Sequence, residues 1–108
     1  GPRPENYAQL IRQYLQPRLT APEFARVEFK SEPRPAYQSQ VFLRESGYGW
    51  AVCALITDRD PRGAYHPYPM VFYLRDGKVA AVNGDGLERA AGVDYAAQQC
   101  KALGYDPV

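Results

Sequence analysis

The sequence lacks any hydrophobic run long enough to cross a membrane as a helix. Its longest apolar run, Trp50 to Ile56, is about a third of the ~20 residues that a spanning helix needs. The sequence also lacks an excess of one charge, since 13 basic and 12 acidic side chains leave a net charge of +1. Its arginines are interleaved with acids rather than gathered in a stripe. We therefore expect neither a transmembrane span nor a nucleic-acid partner.

The length of 108 residues allows one hydrophobic core and is too short for two, which predicts a single domain over residues 1–108. The first two residues, Gly1-Pro2, are typical of the remnant that a protease leaves after removing a purification tag. A signal peptide or a lipid-attachment cysteine could then precede the sequence. That neither feature is in the sequence carries no information about targeting.

Apolar periodicity predicts an α+β fold. A helical stripe covers Glu5 to Gln16, and a last helix has Val93, Ala96 and Cys100 on one apolar face. Between them, alternation of apolar and polar residues or continuous apolar character predicts strands. The predicted strands are Glu23–Lys30, Tyr37–Glu45, Tyr48–Thr57, Tyr68–Arg75 and Lys78–Val82. The prediction is an N-terminal helix, an antiparallel sheet of about five strands and a C-terminal helix packed on the sheet.

Some details of this sheet follow from composition. The stretch Tyr48–Thr57 is apolar on both faces, which predicts a central strand that pairs with the strand before it. Asp76-Gly77 between two strands predicts a type I′ hairpin turn. The proline-rich stretches Ser31–Pro35 and Asp58–Pro69 are predicted to be loops.

Only two cysteines occur, Cys53 and Cys100. They are too far apart for a C-x-x-C motif, which leaves either a disulfide or two unrelated buried thiols. Cys53 lies within the predicted central strand and Cys100 on the apolar face of the last helix, so a bridge would fix that helix across the sheet. This placement favours a disulfide without excluding independent thiols, and a disulfide favours an oxidising compartment.

The single histidine, His66, is the residue whose ordinary protonation lies nearest neutrality. No serine or cysteine stands in a nucleophile motif, so we expect no enzyme. A hydrolase that uses His66 with Asp58 or Asp60 is an alternative. The acidic stretch that begins at Asp58 starts like an EF-hand loop, but its fifth and twelfth positions carry an arginine and a proline instead of ligands. We expect neither a metal nor a cofactor.

Tyrosine is frequent, with nine in the chain. We expect Tyr48, Trp50, Tyr65 and Tyr68 near one end of the central strands, where aromatic rings either cap the core or form a recognition surface. The predicted binding residues, in the loop before the hairpin, are Arg59, Arg62, Tyr65, His66 and Tyr68. The alternative is a small-ligand pocket enclosed by the sheet and the C-terminal helix, lined by Tyr48, Trp50 and Tyr73.

The segment from Val52 to Tyr65 resembles a family of small proteobacterial secreted proteins and lipoproteins of unknown function. Members of that family carry the pattern V-C-G-x-V-N-x-K-N-x-x-G-G-Y and a second cysteine near the C-terminus, which corresponds to Cys100. The positions that match residue for residue are Val52, Cys53, Gly63 and Tyr65, whereas Ala54, Thr57, Asp60 and Ala64 depart from the pattern.

This resemblance implies a periplasmic or outer-membrane-associated location and, with it, a disulfide between Cys53 and Cys100. It brings no catalytic activity with it. The expectation from the sequence is a non-catalytic envelope protein, periplasmic or lipid-anchored, that binds a protein or an envelope component through its Tyr/Pro-rich loop.

Overall fold

A computed structural model describes residues 3–38, 47–59, 62–84 and 95–104. These residues form two helices and a five-stranded antiparallel sheet, which confirms the predicted α+β fold. The elements in chain order are α1 (Tyr7–Leu15), β1 (Arg26–Phe29), β2 (Arg34–Gln38), β3 (Gly47–Arg59), β4 (Tyr65–Arg75), β5 (Lys78–Asn83) and α2 (Tyr95–Ala102). Neither described helix is both long and apolar enough to span a bilayer.

The two helices pack on opposite faces of the sheet. Ile11 and Leu15 of α1 are buried against the face formed by alternate residues of β3 and β4, among them Val52 and Phe72. The other face packs against α2, because successive side chains of a strand point to opposite faces. Full burial of one such leucine or isoleucine contributes about 1.5–3 kcal/mol. The predicted helical stripe of α1 is therefore what attaches this helix to the sheet.

Strand β3 is the centre of the sheet, as its two apolar faces predict. It pairs with β4 on one side, and on the other side β1 and β2 lie end to end along it. Where the pairing passes from β1 to β2, the Cys53 N–H donates to Ser31 Oγ at 3.0 Å. This buried serine satisfies a backbone group that neither strand reaches.

Cys53 and Cys100 form a disulfide, with their Cα atoms 5.7 Å apart. Both side chains are fully buried, and Ala51, Val71 and Ala96 pack around them. The bridge links the middle of β3 to α2, as the residue placement and the family resemblance indicated. On the chain-entropy model, closing a loop of this length stabilises the fold by about 4 kcal/mol. An eight-residue helix is marginal by itself, so the bridge is a main attachment of α2.

The connection between β4 and β5 is the predicted two-residue turn. Asp76 and Gly77 have φ values of 55° and 74°, both in the left-handed region that a type I′ turn requires. Beyond the turn, β5 pairs with β4 through a register shift between Tyr73 and Leu74.

Two predictions from proline content are wrong. The stretch Ser31–Pro35 is not entirely a loop, because β2 begins at Arg34, and Asp58–Pro69 is reduced to a short connection, because β3 extends to Arg59 and β4 begins at Tyr65. The predicted strand Tyr37–Glu45 is described only as far as Gln38. Residues 39–46 lie outside the described part of the chain, as does Val93.

Strand geometry explains why these prolines are tolerated. The N–H and C=O of Cys53 both point toward β1, to Ser31 and Lys30, so the even-numbered residues of β3 bond to β4. Their partners in β4 are also even-numbered, as in Ile56 opposite Tyr68. Pro67 and Pro69 therefore direct their nitrogens away from β3, where no described strand requires a donor.

A close approach at Gly84 provides a test of how β4, β5 and α2 pack together. Gly84 has a φ of 95°, and a Cβ there would overlap the carbonyl oxygen of Pro69 and lie 2.8 Å from the Ala96 Cβ. Gly63 has a similar φ of 88°, but a Cβ there would have no neighbour within 4 Å among the described residues. An alanine at either position would strain the backbone, whereas at Gly84 its methyl group would also overlap neighbouring atoms.

We expect Gly63→Ala to lower the free energy of unfolding by about 1–2 kcal/mol, the strain of a left-handed alanine. Gly84→Ala should lower it by about 1–3 kcal/mol more, because the added methyl group must displace its neighbours. Urea denaturation of the two variants measures the difference. Equal losses would show that the elements are not packed this closely.

Candidate functional site

The candidate site is at the end of the sheet where β3 finishes and β4 begins. Arg59, the last residue of β3, is directly opposite Tyr65, the first residue of β4. Cross-strand partners point to the same face, so both side chains are on the face that carries Cys53. Helix α2 packs further along this face, around the disulfide.

The Arg59 guanidinium contacts two aromatic rings at once. Its central carbon is 5.0 Å from the ring centre of Phe24 and 5.1 Å from that of Tyr65. Both distances are within the range of cation–π attraction. Arg59 Nη2 also donates to Tyr65 Oη at 2.7 Å. We call Phe24, Arg59 and Tyr65 the Arg59 cluster.

The rings of this cluster are exposed to solvent. Phe24 is 56% exposed and Tyr65 is 47% exposed, so both large rings are accessible to solvent. A single exposed aromatic needs no explanation, but two that share one arginine form a patch. The patch combines apolar surface, a fixed positive charge and a hydroxyl group.

Asp58 fixes the segment that carries Phe24. Its carboxylate accepts hydrogen bonds from the backbone N–H groups of Thr20 at 2.9 Å, Ala21 at 3.3 Å and Arg59 at 2.8 Å. The connection between α1 and β1 is thereby tied to the end of β3. Phe24 follows within a turn in which its N–H donates to the carbonyl oxygen of Ala21.

The five predicted binding residues do not share one surface. Arg59 and Tyr65 are together in the Arg59 cluster, and Arg62 is exposed in the short connection between β3 and β4. Tyr68 is on the opposite face, where it packs partly buried against the core beneath α1. His66 is opposite Asp58 in the β3–β4 pairing, and its side chain lies outside the described part of the structure. Placing Tyr65 and His66 in a loop was wrong, because they belong to β4. Tyr68, which was also predicted as the first residue of a strand, lies in β4 as well.

The aromatic residues were predicted to lie near one end of the central strands, and this prediction is wrong. Trp50 is opposite Leu74 near the start of β3, whereas Tyr65 is opposite Arg59 at its end. Trp50 packs on the α1 face and Tyr73 on the α2 face. Trp50 and Tyr73 therefore cannot line one pocket, and the side chain of Tyr48 is outside the described residues.

A different concave surface contains Trp50. It is a cleft of about 690 Å3 between the segment leading into α1, the start of β3 and the Asp76-Gly77 turn. Its volume is within the usual range for small-molecule sites. Of the residues predicted to line a ligand pocket beneath the C-terminal helix, this cleft contains Trp50 but not Tyr73, so it is a different surface from the predicted one and is separate from the Arg59 cluster.

Chemistry that requires metal ligands has no support in the part of the chain that the structure describes. No group of three or more histidine, cysteine, aspartate or glutamate residues is gathered there. Asp60, one proposed partner of His66, lies outside the described residues. The other, Asp58, has both carboxylate oxygens engaged by backbone N–H groups. The hydrolase alternative stays a prediction.

Sequence reasoning missed Phe24 and Asp58 as parts of the site. Phe24 is within the residues predicted as a strand, and no local pattern indicates that it contacts a residue so distant in sequence. Asp58 was considered for catalysis and for metal binding. Its acceptor role depends on the return of the α1–β1 connection to the end of β3, which the pairing of β1 with β3 brings about.

Comparison of the chain with protein-family models, with curated proteins and with solved structures gives no match. The resemblance to the proteobacterial secreted family therefore stays a prediction.

The role of Asp58 can be tested by removing its carboxylate. We expect Asp58→Ala to lower the free energy of unfolding by about 1–3 kcal/mol, because three backbone donors lose a charged acceptor. Chemical denaturation measures the loss. The matched control is Glu28→Ala, which removes an exposed carboxylate paired with Lys30 at 3.3 Å and should change stability by less than about 1 kcal/mol. An Asp58→Ala variant as stable as the control would contradict this role.

Proposed function

We propose that the protein is a non-catalytic recognition protein of an oxidising compartment outside the cytoplasm, and that the Arg59 cluster is its binding surface for another protein. The observation that carries this proposal is the pair of exposed rings, Phe24 and Tyr65, held on one guanidinium. Tyrosine, phenylalanine and arginine are the residue types that are enriched in the centres of protein interfaces.

Rigidity of the cluster supports this role. Its arginine and tyrosine are on paired strands, and its phenylalanine is on a segment tied to β3 by Asp58. A surface whose side chains are already ordered loses little conformational freedom when a partner binds. The aromatic rings add large contact areas with few rotatable bonds.

The adjacent edge of β4 favours recognition by side chains. From Tyr65 to Pro69 no described strand pairs with β4 on the side away from β3. Two of the three residues whose backbones face that edge are prolines, Pro67 and Pro69, which cannot donate a hydrogen bond to an added strand. A partner that approached here would depend on the rings and charges of the cluster rather than on strand addition.

The compartment is inferred from the disulfide. A buried bridge that closes most of the sheet and α2 into one unit is typical of proteins that fold under oxidising conditions. Together with the resemblance of Val52–Tyr65 to secreted and lipid-anchored proteins, this favours a periplasmic or outer-membrane-associated location.

A site-specific cross-link tests the binding surface. A photo-reactive phenylalanine analogue replaces Tyr65, and the protein is irradiated in the envelope fraction of the organism that encodes it. We expect a discrete adduct, because the ring at this position would contact the partner. The matched control carries the same analogue at Gln13, an exposed position on α1 and thus on the other face of the sheet.

The Gln13 variant should not give this adduct, and adding Phe24→Ala to the Tyr65 variant should remove most of it. Phe24 is more than half exposed, so its removal should leave the fold intact, which thermal unfolding checks. The absence of any adduct, or the same adducts from both positions, would refute the proposal.

A further inference from the structure

We infer that the partner segment recognised by the Arg59 cluster is acidic, and that it places a carboxylate on Arg59 beside an apolar side chain that covers the two rings. This inference rests on the proposed function and adds the chemistry of the ligand. It follows from the charges around the cluster rather than from its aromatic character.

Among the described residues, no carboxylate is paired with the Arg59 guanidinium. It carries five N–H donors, and among the described residues one acceptor is found for them, the hydroxyl of Tyr65. Its Nε is buried and has no hydrogen-bond partner. No described carboxylate forms an ion pair with it, although Asp58 is the preceding residue. A bound carboxylate would supply both a counter-charge and an acceptor.

A second arginine lies beside it on the same face. Arg26 is opposite Thr57 in the β1–β3 pairing, and Thr57 is two residues before Arg59, so all three side chains are on one face. Arg26 is exposed and forms no ion pair with a described carboxylate. Arg62, in the connection that follows β3, is exposed as well. Arg26 therefore lies on the same face of the sheet as the Arg59 cluster.

Two described acids on this part of the sheet, Asp58 and Glu28, are already engaged. Both oxygens of Asp58 accept backbone N–H groups, and Glu28 forms an ion pair with Lys30 at 3.3 Å. Neither carboxylate pairs directly with Arg59 or Arg26. Arg59 and Arg26 therefore present positive charge on this face of the sheet. Such a surface attracts an acidic partner and repels a basic one.

The rings define what accompanies the carboxylate. Phe24 and Tyr65 both contact the guanidinium and are about half exposed, so an apolar side chain adjacent to the carboxylate would cover their exposed parts and exclude water. Exclusion of water strengthens a charge-assisted hydrogen bond. A protein segment can present both groups, whereas an anionic lipid surface presents phosphates in a polar layer. We therefore favour an acidic peptide segment over a membrane.

The test is selection of ligands from a library of random peptides on the immobilised protein, with its disulfide intact. We expect the selected peptides to be rich in aspartate or glutamate next to apolar residues. Replacing those acids by amides in the best peptide should weaken its binding by at least about tenfold. Raising the salt concentration should weaken it as well, because the charges are at the surface.

Protein variants then locate the contact. Arg59→Ala should weaken binding of the best peptide about tenfold or more, since one charge-assisted contact is lost. Arg12→Ala is the matched control, because it also removes one arginine whose guanidinium stacks on a ring, that of Phe29 at 5.2 Å, but on α1. It should leave binding unchanged. If Arg59→Ala does not fold, the amide peptides on the wild-type protein still decide the question.

The outcomes separate the two proposals. Neutral or basic peptides that require Phe24 and Tyr65 but ignore Arg59 and salt would overturn the acidic ligand and leave the binding surface standing. Peptides that bind equally well to Phe24→Ala and Tyr65→Ala variants would overturn both proposals. Tight binding to phosphatidylglycerol vesicles that depends on Arg59, with no peptide selected, would replace the protein partner by a membrane surface.

Discussion

The buried bond between Cys53 and Cys100 is the constraint on which this structure depends. It joins the middle of the central strand to the last helix, and the two cysteines are 47 residues apart in the sequence. Helix α2 is short and contributes few buried side chains, so packing alone gives it little hold on the sheet. With the bond in place, α2 covers the part of the sheet face around Cys53.

This arrangement divides the molecule into a closed part and an open end. Beneath α1, and around the disulfide, apolar side chains of β3 and β4 are fully buried. At the far end of the same two strands, the α2 face instead carries Arg59 and Tyr65, with Phe24 beside them. The Arg59 cluster can be exposed because the core that stabilises the fold is elsewhere. Exposed residues of this kind contribute less to stability than the buried core does.

Much of the fold could be predicted from local patterns, because those patterns report on local physics. The stripe of α1, the two apolar faces of β3 and the Asp76-Gly77 turn each depend on residues that are neighbours in sequence. The prolines led to wrong predictions of loops. A proline disrupts the pairing of a strand only where its nitrogen faces a paired strand, and the local sequence does not show which side that is. Pro67 and Pro69 are two residues apart, so both proline nitrogens face the edge of β4 that points away from β3. This spacing is compatible with a strand and was the sequence feature that could have indicated one.

The candidate site was predicted only in part. Arg59 and Tyr65 were identified from composition, whereas Tyr68 was assigned to the same surface although strand alternation places it on the other face. Phe24 and the acceptor role of Asp58 could not have been found, since both depend on the pairing of β1 with the end of β3. Long-range pairing of this kind leaves no local periodicity in the sequence.

The most direct test of the account is the state of the two cysteines in the protein purified without reductant. The protein is denatured, treated with an alkylating reagent and weighed intact by mass spectrometry, with and without prior reduction. We expect the mass of a monomer with no alkyl group before reduction and with two alkyl groups after it. Two alkyl groups before reduction would contradict the bond between Cys53 and Cys100 and, with it, the attachment of α2 and the inferred oxidising compartment.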